Sequence, residues 1–504
     1  MNLMLLLEMA AGGHGDRVAV GTADGGTTFA ELFQRAGTTA AHLREAGSGH
    51  LALADVSSEA LPALLFGASW AGVPFVPLNY RLGDGELRTL ASRVSPALAV
   101  VDPDAPGRLD GIDGVAAVGR HDLLADLADR EPAAEGWSFD GEDEAVLLFT
   151  SGTTGEPKAA VLRQRHLVSY VLGSVEFGAA GEDEAALVSV PPYHVADIAA
   201  VLSNVYAGRR VLQLPAFTAA DWVGLVRREG VTSAMVVPTM LARIVEHLEA
   251  EGDGSPGLPS LRSLSYGGGR MPQPVVERAL ALLPDTRFVN AYGLTETSST
   301  VALLGPDEHR EAVASDDPVV RGRLGSAGRP LPGIEVSIRD DAGNEVPTGG
   351  SGDIWVRGEQ VAGEYRDQGS RLTPDGWFPT NDGGRLDDEG YLYVTGRIDD
   401  VIVKGGQNIS PGEIEEVLYT HPAVADVAAV GLPDHDWGER IAVAVVLRPG
   451  ETAPADELCA LVTERLRSNR TPDRVEFVDE LPYNDTGKLL RRMVRERLAH
   501  LGDG

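Results

Sequence analysis

The sequence predicts an α/β protein with a large N-terminal α/β domain of several parts and a small α+β domain behind it. Three observations predict this. A chain of 504 residues is too long to bury one ordinary core, so a large domain with a smaller companion is the natural division. Residues 51–56, 60–71 and 73–78 read as strand, helix and strand, the alternation of a layered α/β fold. Over the last ~100 residues helical and strand patterns alternate in short pieces, the size and texture of a separate small domain.

Taken in order, Leu3-Met4-Leu5-Leu6-Leu7 opens an amphipathic helix. It has no basic region before it and Glu8 interrupts it, so it is not a signal peptide. Thr28 and Glu31 have the spacing of a capping box, and Phe29, Leu32, Phe33, Ala36, Ala40 and Leu43 follow at helical spacing. Residues 145–149 and 159–162 are apolar runs on either side of T-S-G-T-T-G-E-P-K, residues 150–158, which reads as a tight loop between two strands. Residues 186–190 form a strand that Pro191-Pro192-Tyr193-His194 breaks before a helix of small residues. Residues 264–266 form a strand running into Gly267-Gly268-Gly269-Arg270. That turn lacks G-x-G-x-x-G spacing and has no helix pattern directly behind it, so a dinucleotide fold is not supported. In the small domain, residues 404–408 form a glycine loop. Ser410-Pro411-Gly412-Glu413 is a capping box with proline at the first helical position, opening a helix to Tyr419. Strands at 424–430, 441–447 and 475–478 and a helix at 456–466 complete it.

Lys and Arg number 43 against 75 Asp and Glu, a net charge of −32. This argues against nucleic-acid partners and against docking on an anionic membrane. The single cysteine, Cys459, excludes an internal disulfide framework and a cysteine-rich zinc site. No stretch approaches the ~18–20 apolar residues of a membrane span, and a reducing, cytoplasmic location is expected.

Residues 150–158 have the composition of a phosphate cradle. Gly152 and Gly155 let backbone N–H groups approach an anion, Thr150, Ser151, Thr153 and Thr154 add hydroxyls, and Lys158 adds charge. It is not a Walker A loop, which needs Gly-Lys-Ser/Thr at its end and a helix behind it. Alone it is an ordinary polar hairpin. Taken with Tyr292-Gly293-Leu294-Thr295-Glu296, Asp382, Gly396-Arg397-Ile398-Asp399-Asp400 and Thr486-Gly487-Lys488, it resembles the adenylate-forming acyl-CoA synthetase superfamily, in motif order and over nearly the whole chain.

The resemblance implies a site for ATP and Mg²⁺ and a domain boundary, with residues 1–398 binding ATP and the acid and residues 399–504 forming a mobile small domain. It places the 150–158 loop on the polyphosphate, the Tyr292 ring on adenine, Thr295 at the α-phosphate and Glu296 on magnesium. Asp382 would accept both ribose hydroxyls, and Arg397 would add a donor fork beside it. The family usually has glycine before that aspartate. Here Asn381 stands there, a residue that tolerates left-handed backbone. Gly267, Gly268, Gly269 and Arg270 would run along adenine and the acyl chain. His194 would lie beside the acyl pocket, where amino-acid-activating relatives carry an aspartate. Gly293 and Leu294 would border the same pocket, and a missing side chain at Gly293, where acetate-restricted relatives carry tryptophan, implies a longer or bulkier acid.

Asp399 would be the hinge, Gly405 and Gly406 the thiol tunnel and Lys488 the catalytic lysine. The implied activity is ligation of a medium to large, mostly apolar carboxylic acid to CoA, by a monomer or homodimer. A free-standing carrier protein is the alternative acceptor, and a retired scaffold kept for binding is a further alternative. Joint retention of Lys158, Glu296, Asp382, Arg397 and Lys488 speaks against the last. Residues 77–82, ending in Arg81-Leu82, look like another family signature with no chemistry assigned, and Arg467, Arg470 and Arg491 read as solvent-facing rather than as contacts for CoA phosphates.

Overall fold

The computed structural model describes residues 1–150, 157–252, 257–466, 468–484 and 489–500. Among these residues lie four sheets. The nine-stranded sheet is parallel at its centre, where Arg287–Leu294, Ser263–Gly267, Ser233–Val236, Ala185–Val188 and Arg210–Gln213 run side by side. The eight-stranded sheet carries the parallel strands Phe75–Pro77, His50–Ala54, Ala97–Val101 and Val115–Gly119. Against them pairs the hairpin Glu144–Thr150 and Lys158–Arg163, whose last bonded pair is Thr150 with Lys158. A four-stranded antiparallel sheet ends at Arg397, and the first strand of the small domain's five-stranded sheet is Ile402–Lys404.

Local chemistry explains where the helices begin. Thr28 Oγ1 accepts from Glu31 N at 3.2 Å while Thr28 N donates to a Glu31 carboxylate oxygen at 2.9 Å, the reciprocal pair expected for the helix Phe29–Glu45. The helix Ala60–Ala71 is apolar all round, and every residue from Ala60 through Trp70 is buried, as such a helix must be. With Met4–His14 and Val195–Ala207 these helices form one core against the eight-stranded sheet, through Leu6, Phe29, Phe66, Phe75, Val146 and Leu202. Each such side chain contributes roughly 1.5–3 kcal/mol.

The small domain's sheet is covered on both faces. Ile441, Val443 and Val445 pack with the helices Pro411–Tyr419 and Ala455–Arg465, while Ala442 and Ala444 pack with Arg491–His500. This is the two-residue period of a strand. The capping box expected at Ser410 is absent. The helix starts at Pro411, but the Ser410 hydroxyl donates to Thr395 O at 2.7 Å, so it ties the helix start to the four-stranded sheet instead of capping it. Among the described residues no helix is long and apolar enough to cross a membrane.

Asn381 adopts φ +58, the left-handed conformation that its side chain tolerates better than most. It turns the strand Phe378–Leu386 so that Thr380 and Asp382 meet the same neighbours. Asn381→Gly should match or slightly exceed wild-type stability in urea denaturation, whereas Asn381→Ala should lose about 1 kcal/mol. Equal stability of all three would remove the backbone argument.

Candidate active site

The site forms where the nine-stranded and four-stranded sheets meet. The Tyr292 hydroxyl, on Arg287–Leu294, donates to Asp382 Oδ2 at 2.8 Å. Arg397 Nη1, at the end of Leu392–Arg397, donates to Asp382 Oδ1 at 2.9 Å and to Thr380 O at 3.0 Å. Asp382 N donates to Thr380 Oγ1 at 3.0 Å, and that hydroxyl donates to Ile354 O. Asp382 is only 6% exposed, so both its oxygens are aimed by fixed donors. Burial, then the Asp382 charge, pushes the Tyr292 hydroxyl well above its ordinary range and keeps it a donor. Burial works against the Arg397 charge, but the Asp382 carboxylate outweighs it and the guanidinium pKa is raised.

One turn beyond Tyr292 the chain passes through the 3₁₀ turn Thr295–Thr297. Thr297 Oγ1 bonds Leu294 and Ser299 main-chain atoms and pins that turn. Ser298 and Ser299 then take φ +56 and +105, conformations that cost of order 1–3 kcal/mol each and that persist where the surroundings over-determine them. The turn aims Glu296, whose Oε1 accepts the Tyr365 hydroxyl at 2.5 Å. Lys158 Nζ lies 5.6 Å from the Tyr365 ring centroid. Tyr365 therefore links the end of the loop hairpin to Glu296, a role no sequence pattern marks, since its strand is only Glu364–Tyr365.

The structure thus brings Tyr292, Asp382 and Arg397 together, and places Glu296 and Lys158 each against Tyr365. Thr150 closes the hairpin, its hydroxyl 3.4 Å from Lys158 O. Ser151, Gly152, Thr153, Thr154, Gly155 and Lys488 lie outside the described residues. Asp399 sits in the 3₁₀ turn Ile398–Asp400 between the two domains' sheets. Gly405 and Gly406, both at positive φ, form the exposed turn of a two-strand hairpin.

Several readings of the sequence change. Gly293 does not report an open pocket, because a Cβ there would meet Ser299 O at 1.9 Å. The neighbouring backbone, not the acid, demands glycine. Gly267 is the same, a Cβ meeting Ala291 O at 2.3 Å, whereas Gly268, at φ +79, would only touch Val237 at 3.7 Å. Arg270 points at the small domain and pairs with Glu416 at 2.9 Å, while Gly269 beside it is exposed. Arg491 is not solvent-facing: it is bound to Glu415 and Ala429 O and lies 3.6 Å from Asp400. Arg470 is spent on Glu413, Gln407 and Asn469, and Arg467 lies outside the described residues.

His194 is the residue before the helix Val195–Ala207, its ring 4.6 Å from that of Tyr193. One turn on, Asp197 is fully buried, and neither carboxylate oxygen has a hydrogen-bond partner among the described residues. Burial raises its pKa well above the usual carboxylate range. Reading the sequence for motifs missed it, although an acid in a helix of small apolar residues is a visible signal.

The fold and this corner define an adenylate-forming, AMP-forming acid–thiol ligase. The AMP-binding enzyme family matches residues 7–366 and the AMP-binding enzyme C-terminal domain matches residues 413–488. The chain belongs to this family. It is 34% identical to a feruloyl-CoA synthase from an Amycolatopsis species, over 94% of this chain and 95% of the relative. It is 31% identical to the fatty acid–[acyl-carrier-protein] ligase ScoC of Streptomyces coeruleorubidus, over 93% and 91%. The o-succinylbenzoate CoA synthetase of Bacillus subtilis, solved with its acyl-adenylate intermediate, superposes with a TM-score of 0.83 at 29% identity, covering 97% of each chain.

Asp197 sets a pH test. An unfolded carboxyl ionises near ~4 while the folded one keeps its proton, so the folded state holds more protons as pH rises and stability falls above that point. Asp197→Asn removes the titration. Its stability relative to wild type should rise as the pH climbs above ~4, measured by thermal melts; a pH-independent difference would show that Asp197 does not titrate this way.

Proposed function

We propose that the protein uses ATP to adenylate a medium to large, mostly apolar carboxylic acid and then transfers the acyl group to CoA. The observation that carries this is Asp382 held between Tyr292 and Arg397, one turn from Glu296. With Gly293 assigned to backbone packing, support for the size class comes from relatives named for ferulic, fatty and succinylbenzoic acids. The carrier-protein acceptor stays as the second reading, favoured by the relative named as an acyl-carrier-protein ligase.

A carboxylate resists attack by a thiol because its charge repels the nucleophile and oxide leaves poorly. In the proposed first step the acid's oxygen attacks the α-phosphate, and the pyrophosphate leaves along the 150–158 loop. Thr295 and Lys488 stabilise charge on the transferring phosphoryl group, so catalysis is positioning and electrostatics. Asp382 and Arg397 fix the ribose and Tyr292 the adenine. No enzyme nucleophile is needed.

Magnesium fits this donor set. Mg²⁺ takes one or two carboxylates beside phosphate oxygens and water, and Glu296 supplies one hard carboxylate next to the expected polyphosphate. Among the described residues no group of three or more acidic, His or Cys side chains would hold a metal by itself, which suits an ion that arrives with the nucleotide. It would neutralise the polyphosphate charge.

For the second step we propose that residues 399–504 turn as a unit about Asp399 against residues 1–398. This withdraws Lys488 and carries the exposed Gly405-Gly406 turn to the acyl adenylate. A thiolate then attacks the acyl carbon and AMP leaves. A reducing cytosol, which keeps the acceptor as a thiol, is the fitting location.

Pyrophosphate release with Mg-ATP and a panel of carboxylic acids, with and without CoA and with products weighed, tests the reading. CoA-dependent turnover to an acyl-CoA supports it, and acyl-AMP formed in a single turnover regardless of CoA favours the carrier acceptor. Lys488→Ala should lower adenylation about 10²–10³-fold while leaving thioester formation from supplied acyl adenylate largely intact. Equal loss of both steps would remove the lysine's assigned role.

A further inference from the structure

Lys158 and Glu296 carry opposite charges and meet the ring and the hydroxyl of one phenol. Lys158 Nζ lies 5.6 Å from the Tyr365 ring centroid, and Glu296 Oε1 accepts the Tyr365 hydroxyl at 2.5 Å. Neither charge makes an ion pair among the described residues. A direct pair between them would cancel the charges that a polyphosphate and its magnesium need. The phenol stands in the way: its face gives the ammonium a weak contact, and its hydroxyl occupies one carboxylate oxygen. Glu296 Oε2 has no hydrogen-bond partner among the described residues.

Residues 360–367 hold that phenol by gripping both of its neighbours. Gln360 Nε2 donates to Thr297 O at 3.0 Å and Thr300 O at 2.8 Å, and Ala362 N and Gly363 N both donate to Glu296 O, at 2.8 and 3.0 Å. The turn carrying Glu296 is thereby fixed to this segment. Tyr365 pairs with Ala160, and Arg366 N donates to Ala159 O at 2.9 Å, on the strand that Lys158 opens. Arg93, the residue after the helix Asp84–Ser92, closes the circuit. Its Nη1 donates to Pro157 O and its Nη2 to Asp367 Oδ2, each at 2.6 Å, while its guanidinium carbon lies 5.0 Å from the Phe149 ring centroid. One side chain thus touches the strand that enters residues 151–156, the residue that follows them and the segment that carries Tyr365. A planar fork of donors allows this, where lysine has a single point charge.

None of these contacts involves Tyr292, Asp382 or Arg397, so the arrangement serves something other than the ribose corner. We propose that Tyr365 and Arg93 are positioning residues for adenylation, Tyr365 as the spacer that keeps Lys158 and Glu296 apart and Arg93 as the brace that fixes their separation. Held so, the Lys158 ammonium is open to phosphate oxygens and Glu296 Oε2 to the magnesium of the nucleotide. Both residues then act on the polyphosphate and not on the nucleoside. Neither belongs to a motif that the sequence marks, because each works through partners far along the chain. The inference rests on the adenylation reading.

The test is calorimetric titration of the full-length protein with Mg-ATP, with ATP in EDTA and with AMP, which carries no polyphosphate. Tyr365→Phe keeps the ring and removes the hydroxyl. In it, affinity for Mg-ATP should fall about tenfold, while ATP in EDTA and AMP bind as they do to wild type. In Arg93→Ala, ATP affinity should fall about tenfold with or without magnesium, again with AMP unchanged. Arg93→Lys, which reaches Pro157 O or Asp367 but not both, should recover part of the loss. An equal loss for ATP and AMP would make the two residues merely structural and overturns the proposal, as does unchanged Mg-ATP affinity in either variant. Under both of those results a wild type that binds ATP and AMP leaves the adenylation reading standing, so the two fail separately; a wild type that binds neither nucleotide removes both.

Discussion

A single buried carboxylate holds the functional half of this molecule together. Asp382 is gripped by a phenol from the nine-stranded sheet and a guanidinium from the end of the four-stranded sheet, and it directly follows Asn381, a residue held in left-handed backbone. Charge-assisted bonds of this kind are stronger than neutral ones, and a carboxylate removed from water needs them. The same contacts join two sheets and stop within three residues of the turn Ile398–Asp400 that leads to the small domain. Whatever binds at Asp382 therefore binds beside the element about which the small domain is proposed to turn. The Arg491 cluster grips the far side of that turn through Asp400, so the linker is anchored at both ends and bending is confined to a few residues.

Backbone crossings, more than side chains, shape the region around this carboxylate. Gly293 and Gly267 are glycines because a neighbouring strand's carbonyl lies where a Cβ would be. Ser298 and Ser299 pay for the close crossing with positive φ angles. This is why a motif can be found by pattern and still be misread. Its residue types report two constraints at once, the ligand and the packing, and only coordinates separate them.

Much of the fold was legible where local physics decides it. The Thr28–Glu31 cap, the all-apolar helix Ala60–Ala71, the hairpin around residues 150–158 and the α+β make-up of the small domain follow from spacing and composition. Asn381 likewise does what its side chain permits. What could not be read depends on partners far away in sequence. Tyr365 meets Glu296 across 69 residues and Arg491 meets Glu415 across 76. Ser410 gives its hydroxyl to Thr395 rather than to its own helix. Charged residues were the hardest to place, because in a chain with this excess of acid an arginine's role depends on which carboxylates lie within reach. Arg270 and Arg491 are committed to carboxylates, whereas Arg93 divides its fork between a carboxylate and the carbonyl of Pro157.

The central claim is that the Tyr292–Asp382–Arg397 corner is a nucleotide site and not merely a structural junction. Calorimetric titration of Mg-ATP into wild type and Asp382→Asn, with melting temperatures measured alongside, tests it most directly. Asn keeps the shape but loses the charge and one acceptor. ATP affinity should fall at least about tenfold in a protein that still melts cooperatively. Unchanged ATP affinity together with a large drop in melting temperature would contradict it, leaving the carboxylate as a structural tie between two sheets.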